Sequence, residues 1–157
     1  MRERDKVKKP PILFASTQAI VTQIEAILGY PFLVYWNSAN GSVCDNDVLA
    51  LYDLAQKLGQ QPKLGLFIKS GGGDVEASLR IVNLLRAYFS EIIALVPLEC
   101  ASSATMIALG ADEIHMGPLA HLSAIDSSLT HDLSPLDRDN RRVSVSQDEL
   151  ARIVRVW

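Results

Sequence analysis

Two short stretches of this chain hold the residue types that acyl transfer needs. Ser70-Gly71-Gly72-Gly73 closes one apolar run, and Ser102-Ser103 follows another. A serine that attacks a carbonyl needs an acceptor for its proton and backbone N–H donors aimed at the tetrahedral oxyanion. A glycine-rich turn leaves such donors uncovered, so the two stretches together hold a nucleophile and an oxyanion hole. For the proton acceptor the sequence offers His115, His121 and His131, and no lysine beyond Lys69. His121 is the first choice of base. Asp126 either orients a histidine or caps a turn. Each residue also has a purely structural reading: a glycine turn permits close helix approach, and a serine at a helix start is a common cap. Cys100 has no basic neighbour in sequence and reads as a small core residue. Scattered histidines and unclustered carboxylates give no metal-ligand spacing, and no cofactor is expected. The glycine spacing fits neither a dinucleotide fingerprint nor a phosphate-binding P-loop.

The elements that would carry these residues follow from apolar periodicity. Leu64 to Lys69 reads as a strand that stops at the glycines, after which Val75, Leu79, Val82, Leu85 and Phe89 recur at helical spacing. Ile92 to Pro97 reads as the next strand, and Ala104 to Gly110, apolar all round, as a buried helix. A crossover of this kind returns the second strand parallel to the first, which puts both turns at one sheet edge. Upstream, Ile20, Ile24, Ile27 and Leu28 mark a helix ending at Gly29, and Pro31 to Trp36 a strand. Asp45 or Asn46 can cap a helix with Val48, Leu51, Leu54, Ala55 and Leu58 on its apolar stripe. Downstream, Glu113 to Met116 is a short strand, a long polar loop runs from Pro118 through His121, Ile125 and Asp126 to Asp139, and Ser146 caps a helix over Gln147 to Trp157. The expectation is an α/β fold on a largely parallel sheet.

The run Ile68-Lys69-Ser70-Gly71-Gly72-Gly73-Asp74-Val75-Glu76-Ala77 resembles the oxyanion-loop motif of the Clp protease and signal-peptide-peptidase superfamily. Ser102-Ser103-Ala104-Thr105-Met106-Ile107-Ala108-Leu109-Gly110-Ala111-Asp112-Glu113-Ile114, continued by Met116-Gly117-Pro118, resembles the nucleophile helix of its serine dehydrogenase proteinase branch. The resemblance implies a ClpP/crotonase-like fold of repeated β-β-α and βαβ units. It also implies Ser102 as nucleophile and Gly72 and Gly73 as oxyanion glycines, with Ser103 beside them. Gly71 stands where relatives usually have Pro, and Ser103 where Ala or Gly is common. Relatives with a Ser-Lys dyad take their lysine from a segment after the serine, which this chain does not offer. Ile125-Asp126 falls nearer the place where Clp-type proteases carry histidine. Relatives assemble into rings or stacks, so a homo-oligomer acting on a peptide or protein substrate is implied.

Composition sets the outer bounds. At 157 residues, 48% hydrophobic and a net charge of −3, the chain can bury one core, and the mild acidity gives no nucleic-acid footprint. Residues 1–11, with Arg2, Arg4, Lys6, Lys8 and Lys9 offset by Glu3 and Asp5, are expected to form a flexible tail, and residues 12–157 a single domain cut short in its C-terminal helical part. Cys44 and Cys100 form no spacing motif, and no apolar stretch reaches bilayer length or resembles a signal peptide. The expected setting is cytoplasmic. The leading functional expectation is a serine hydrolase, most naturally a peptidase. The alternatives are a catalytically silent scaffold of the same fold and, less favoured, acyl-CoA chemistry of the crotonase type, which would not need Ser102.

Overall fold

The computed structural model describes residues 15–126, 128–129, 134–143 and 145–146. The expected N-terminal tail, His131 and the helix expected over Gln147 to Trp157 lie outside the described residues. The chain divides into two compact units, Met1–Ser123 and Ala124–Trp157.

The first unit is α/β. Its main sheet has the order β1 (Phe32–Trp36), β2 (Gln61–Lys69), β3 (Phe89–Val96), β5 (Glu113–Met116), with every neighbouring pair parallel. Four helices accompany it: α1 (Ala15–Leu28), α2 (Asp45–Leu58), α3 (Val75–Tyr88) and α4 (Ser103–Leu109). A second, smaller parallel pair joins β4 (Glu99–Cys100) to β6 (His121–Leu122). Alternate residues Leu64, Leu66 and Ile68 of β2 and Ile92, Ala94 and Val96 of β3 are buried in one cluster with Val48, Leu51, Ala55, Ala77, Ile81, Leu85, Ala104 and Ile107 from the helices. Burying each large aliphatic side chain in such a cluster contributes about 1.5–3 kcal/mol.

Several helix faces differ from expectation. In α3 the buried residues are Ala77, Ser78, Ile81 and Leu85, while Val75 and Leu79 are exposed and Phe89 opens β3. In α4 Ser103, Ala104, Thr105, Ile107 and Ala108 are buried, as expected of this helix, while Leu109 at its end is 59% exposed. In α2 Leu54 turns outward, and the N-cap is Cys44, with Asp47 Oδ2 accepting the Cys44 N–H at 3.0 Å. Arg86 near the end of α3 reaches Asp112 Oδ2 (2.7 Å) and the Gly110 carbonyl (2.9 Å), and the same Asp112 oxygen accepts the Ile92 N–H (2.7 Å). This knot fixes the exit of α4 against the start of β5.

The segment expected to be one long polar loop is built up instead. It begins with β6, and in the second unit β7 (Ser128–Leu129) pairs antiparallel with β8 (Val145–Ser146). Between these strands lies a tight reversal in which Asp137 Oδ1 accepts the N–H groups of Asp139 and Arg141, and Leu136 bridges Arg142. Ser146 thus belongs to a strand.

Candidate functional site

The site is built where β2 and β4 end. Ser70, the residue after β2, is fully buried and ties four segments together. Its N–H donates to the Glu99 carbonyl (3.0 Å) and its carbonyl accepts the Ala101 N–H (2.9 Å), so β2 runs on as a parallel bridge beside β4. Its hydroxyl donates to Asn37 Oδ1 at the end of β1 and accepts the Gly72 N–H (3.1 Å). Asn37 itself donates its N–H to the Lys69 carbonyl (2.9 Å).

The glycine turn then folds back on the strand before the serine pair. Gly72 has φ 98° and Gly73 φ 151°, conformations that disfavour a side chain. Space forbids one as well: a methyl on Gly72 would stand 2.7 Å from both Ser102 Cβ and the Ala101 carbonyl oxygen, and 3.1 Å from Ser103 N. The glycine turn and the serine turn are therefore in direct contact. Gly73 is held from the other side, with the Val43 N–H donating to the Gly72 carbonyl (2.9 Å) and the Asp74 N–H to the Val43 carbonyl (2.9 Å). Asp74 also caps α3, its Oδ1 accepting the Ala77 N–H at 3.0 Å.

Ser102 sits between β4 and α4 with φ 52° and ψ −126°. A residue with a Cβ in this left-handed region is strained by about 1–3 kcal/mol, and such strain gathers at functional sites. A serine on a sharp, strained strand-to-helix turn is the geometry that presents a nucleophilic hydroxyl. The turn is braced from β6: Ser123 Oγ accepts the Ser102 N–H (2.7 Å), and the Thr105 hydroxyl sits between the carbonyls of Cys100 (2.8 Å) and Ser123 (3.1 Å). Ser102 is half-buried, and among the described residues its hydroxyl has no hydrogen-bond partner. Likewise among the described residues, the N–H groups of Gly73 and Ser103 are uncommitted, whereas that of Gly72 is taken by Ser70. Ser103 Oγ is buried without a partner.

The titratable residues distribute unevenly around this contact. His121 is exposed on β6, directly across from Glu99 in the ladder, and donates its backbone N–H to the Leu98 carbonyl (3.2 Å). Its ring makes no hydrogen bond to Ser102 among the described residues. The Glu99 carboxylate lies beside the glycine turn, 3.7 Å from where a Gly71 methyl would be, and 3.9 Å from Lys69 Nζ. Lys69 Nζ also donates to the Asn37 carbonyl (3.3 Å) and lies over the Trp36 ring. His115 is on β5, paired with Glu113 at 2.9 Å, exposed and in the main sheet. Asp126 is half-buried in the second unit. Cys100 is wholly buried, its thiol donating to the Ala104 carbonyl (3.2 Å), and burial pushes its pKa up to about 12. That thiol is a packing group, as its sequence context suggests. Burial, and then the hydrogen bond to Asp47 (2.8 Å), push the Tyr35 hydroxyl far above its ordinary range. Among the described residues no cluster of His, Cys, Asp and Glu could hold a metal ion, and no helix is long and apolar enough to cross a membrane.

Two residues of this arrangement carry no sequence signal. Ser123 lies in a polar stretch like any other, and only the β4–β6 pairing brings it to the Ser102 N–H. Ser70 reads as the first residue of a turn until its hydroxyl is seen holding the loop.

No protein-family model and no curated protein matches the chain. Among solved structures, a ClpP1 mutant from Listeria monocytogenes is similar at 18% identity and a TM-score of 0.47, over 61% of this chain and 51% of that one. The ClpP protease catalytic domain from Plasmodium falciparum is similar at 13% identity and a TM-score of 0.44, over 70% of this chain and 62% of that one. This chain thus spans about half to three fifths of the length of those proteins.

Proposed function

We propose that this chain is a serine hydrolase of ClpP-like type that acts on peptide bonds. The observation that supports it most is the backbone of Ser102, a strained serine whose hydroxyl has no partner among the described residues, pressed against Gly72 where no Cβ fits. In this reading Ser102 Oγ attacks the substrate carbonyl carbon, and the oxyanion takes up the uncommitted N–H groups of Gly73 and Ser103. Gly72 contributes by its lack of a side chain, since its own N–H is spent on Ser70. Each oxyanion donor is worth about 2.7–4 kcal/mol of transition-state stabilisation. His121 is the proposed base, taking the Ser102 proton and returning it to the leaving amine. Catalytic hydrogen bonds are often long or unformed without substrate, so the exposed ring is compatible with that role. Asp126 as its orienting carboxylate, a homo-oligomeric assembly and a cytoplasmic setting belong to the same proposal. The homo-oligomer rests on the resemblance of the two sequence motifs, Asp126 on its being a carboxylate in the segment that follows His121, and the setting on the cysteine usage and apolar patterning of the sequence.

One observation favours a second reading: among the described residues no basic side chain is bonded to Ser102 Oγ. A catalytically silent module that keeps the fold would look the same. A fluorophosphonate probe applied to the full chain between about pH 6 and 9 separates the two, because phosphonylation requires an activated serine. Labelling that disappears in a folded Ser102→Ala variant is the expected result. Equal labelling of that variant, or none of the folded wild type, removes the hydrolase reading, and the second outcome favours the silent module.

A further inference from the structure

We infer that Ser70 is the positioning residue of the oxyanion loop: its buried hydroxyl fixes the Gly71–Gly72 peptide and, together with the Val43 N–H that holds the Gly72 carbonyl, keeps the next donor, the Gly73 N–H, aimed at the carbonyl that Ser102 attacks. This rests on the hydrolase reading above and adds a residue that touches neither substrate nor the reacting atoms.

The argument begins with what a glycine turn lacks. Three successive glycines have the widest backbone freedom of any tripeptide, and a donor that swings through that range stabilises an oxyanion poorly. Rigidity must come from contacts to the peptide groups. The structure provides them at two points. Beyond the turn, the bonds linking Val43 with Gly72 and Asp74 hold the Gly73 segment against the stretch that follows β1. Before it, the only side chain bonded to the turn's backbone among the described residues is Ser70, through the Gly72 N–H at 3.1 Å.

Ser70 is well placed for the task because it cannot move. It is 0% exposed, its N–H and carbonyl are locked to Glu99 and Ala101, and its hydroxyl proton is directed to Asn37 Oδ1, which leaves the oxygen lone pairs for Gly72. The backbone bond to Ala101 matters most. Ala101 immediately precedes Ser102, so one residue sets both the glycine peptide, through its hydroxyl, and the strand that delivers the nucleophile, through its main chain. The distance between nucleophile and oxyanion donor is thereby referred to a single buried point. Asn37 completes the device by fixing the hydroxyl's rotamer from the end of β1. Removing the hydroxyl leaves the Gly72 N–H without its Ser70 partner, so the Gly71–Gly72 peptide can turn and the Val43 bond to the Gly72 carbonyl alone holds the Gly73 donor.

The test is the rate and affinity split of fluorophosphonate labelling in the full chain, with circular dichroism and urea unfolding confirming the fold. Ser70→Ala is expected to slow the maximal labelling rate about 10-fold or more, a fraction of the about 10²–10³ that follows outright loss of an oxyanion donor. The probe concentration giving half-maximal rate is expected to stay within about threefold, because ground-state binding does not use the oxyanion donors. Ser70→Thr, which keeps the hydroxyl, restores most of the rate. Asn37→Ala, which frees the hydroxyl rotor while leaving Ser70 in place, gives an intermediate loss and serves if Ser70→Ala does not fold. A loss of stability alone would lower the unfolding midpoint without changing the labelling rate of folded protein. Wild-type labelling with an unchanged maximal rate in Ser70→Ala, or in Asn37→Ala where that is the variant that folds, overturns the inference and leaves the hydrolase reading intact. A folded wild type that is not labelled at all overturns both.

Discussion

Replacing Ser102 by glycine should make the protein more stable, and replacing it by alanine should not. Alanine keeps a Cβ at φ 52° and ψ −126°, so it inherits the strain of the native turn, whereas glycine takes the mirror-image region freely. Relief of the strain is worth about 1–3 kcal/mol. Against this stands the extra entropy of glycine in the unfolded chain, about 0.5–1 kcal/mol. No hydrogen bond offsets the gain, because the Ser102 hydroxyl has no partner among the described residues and its N–H, bonded to Ser123 Oγ, survives either change. The glycine variant should therefore exceed the alanine variant by about 1 kcal/mol, the centre of a span of about 0–2.5 kcal/mol, a difference of a few degrees in melting temperature for a chain of this size. Urea unfolding of the two full-length variants measures it, provided their slopes agree, since an altered slope would report a changed denatured state. A glycine variant no more stable than the alanine one would mean that Ser102 is not held under strain. The main structural support for a nucleophile at this position would then be gone.

Two further perturbations probe the framework. Gly72→Ala should cost about 2 kcal/mol or more, from the left-handed backbone and the 2.7 Å approach to Ser102 Cβ. Gly71→Ala, with negative φ and only ordinary contact to Glu99, should stabilise by about 0.4–1 kcal/mol; the two urea midpoints must move in opposite directions. Asp112 is held below the ordinary carboxylate range by Arg86 first and the Ile92 N–H second, so its ionised form stabilises the fold above its unfolded pKa of about 3.9, and that contribution fades as pH falls through the folded value. The gap in unfolding midpoint between wild type and Asp112→Asn should be full near neutrality and close in acid; a gap independent of pH would show that the Arg86 pairing contributes nothing through charge.

Most of the strand and helix order could be read from the sequence because the apolar runs of β2 and β3 and the punctuation at Gly29, Gly59 and the triple glycine are local signals. The faces of the helices were harder. In α3 the large residues Val75 and Leu79 drew the stripe, but the buried positions include Ala77 and Ser78, small side chains chosen for close approach and invisible to a count of bulk. β4 is two residues long, too short to show a period, and it exists because Ser70 and His121 pair with it from either side. That missed strand is also why the base was hard to assign. The ladder sets His121 opposite Glu99, three residues before Ser102, and brings Ser123 to the Ser102 N–H instead.

Stability alone would have distributed these residues differently. Glycine is present at 72 and 73, where contact with Ser102 and Val43 leaves no room for a Cβ, yet it is absent at 102, where the backbone asks for it just as strongly. A silent scaffold gains nothing from a Cβ at that point, and among the described residues the hydroxyl makes no bond that would compensate. The hydrolase reading gives the strain a reason, because the contact with Gly72 sets the hydroxyl beside the uncommitted Gly73 N–H; a silent module that retained the serine would carry the strain without using it. Among the described residues of the first unit no base is already bonded to that hydroxyl. The hydrolase reading with His121 as base therefore requires its exposed ring to reach the Ser102 hydroxyl when substrate is bound. Labelling bears directly on this: a rate lost in a folded His121→Ala variant and kept in His115→Ala would identify the base, while a rate indifferent to the first substitution would take His121 out of the mechanism.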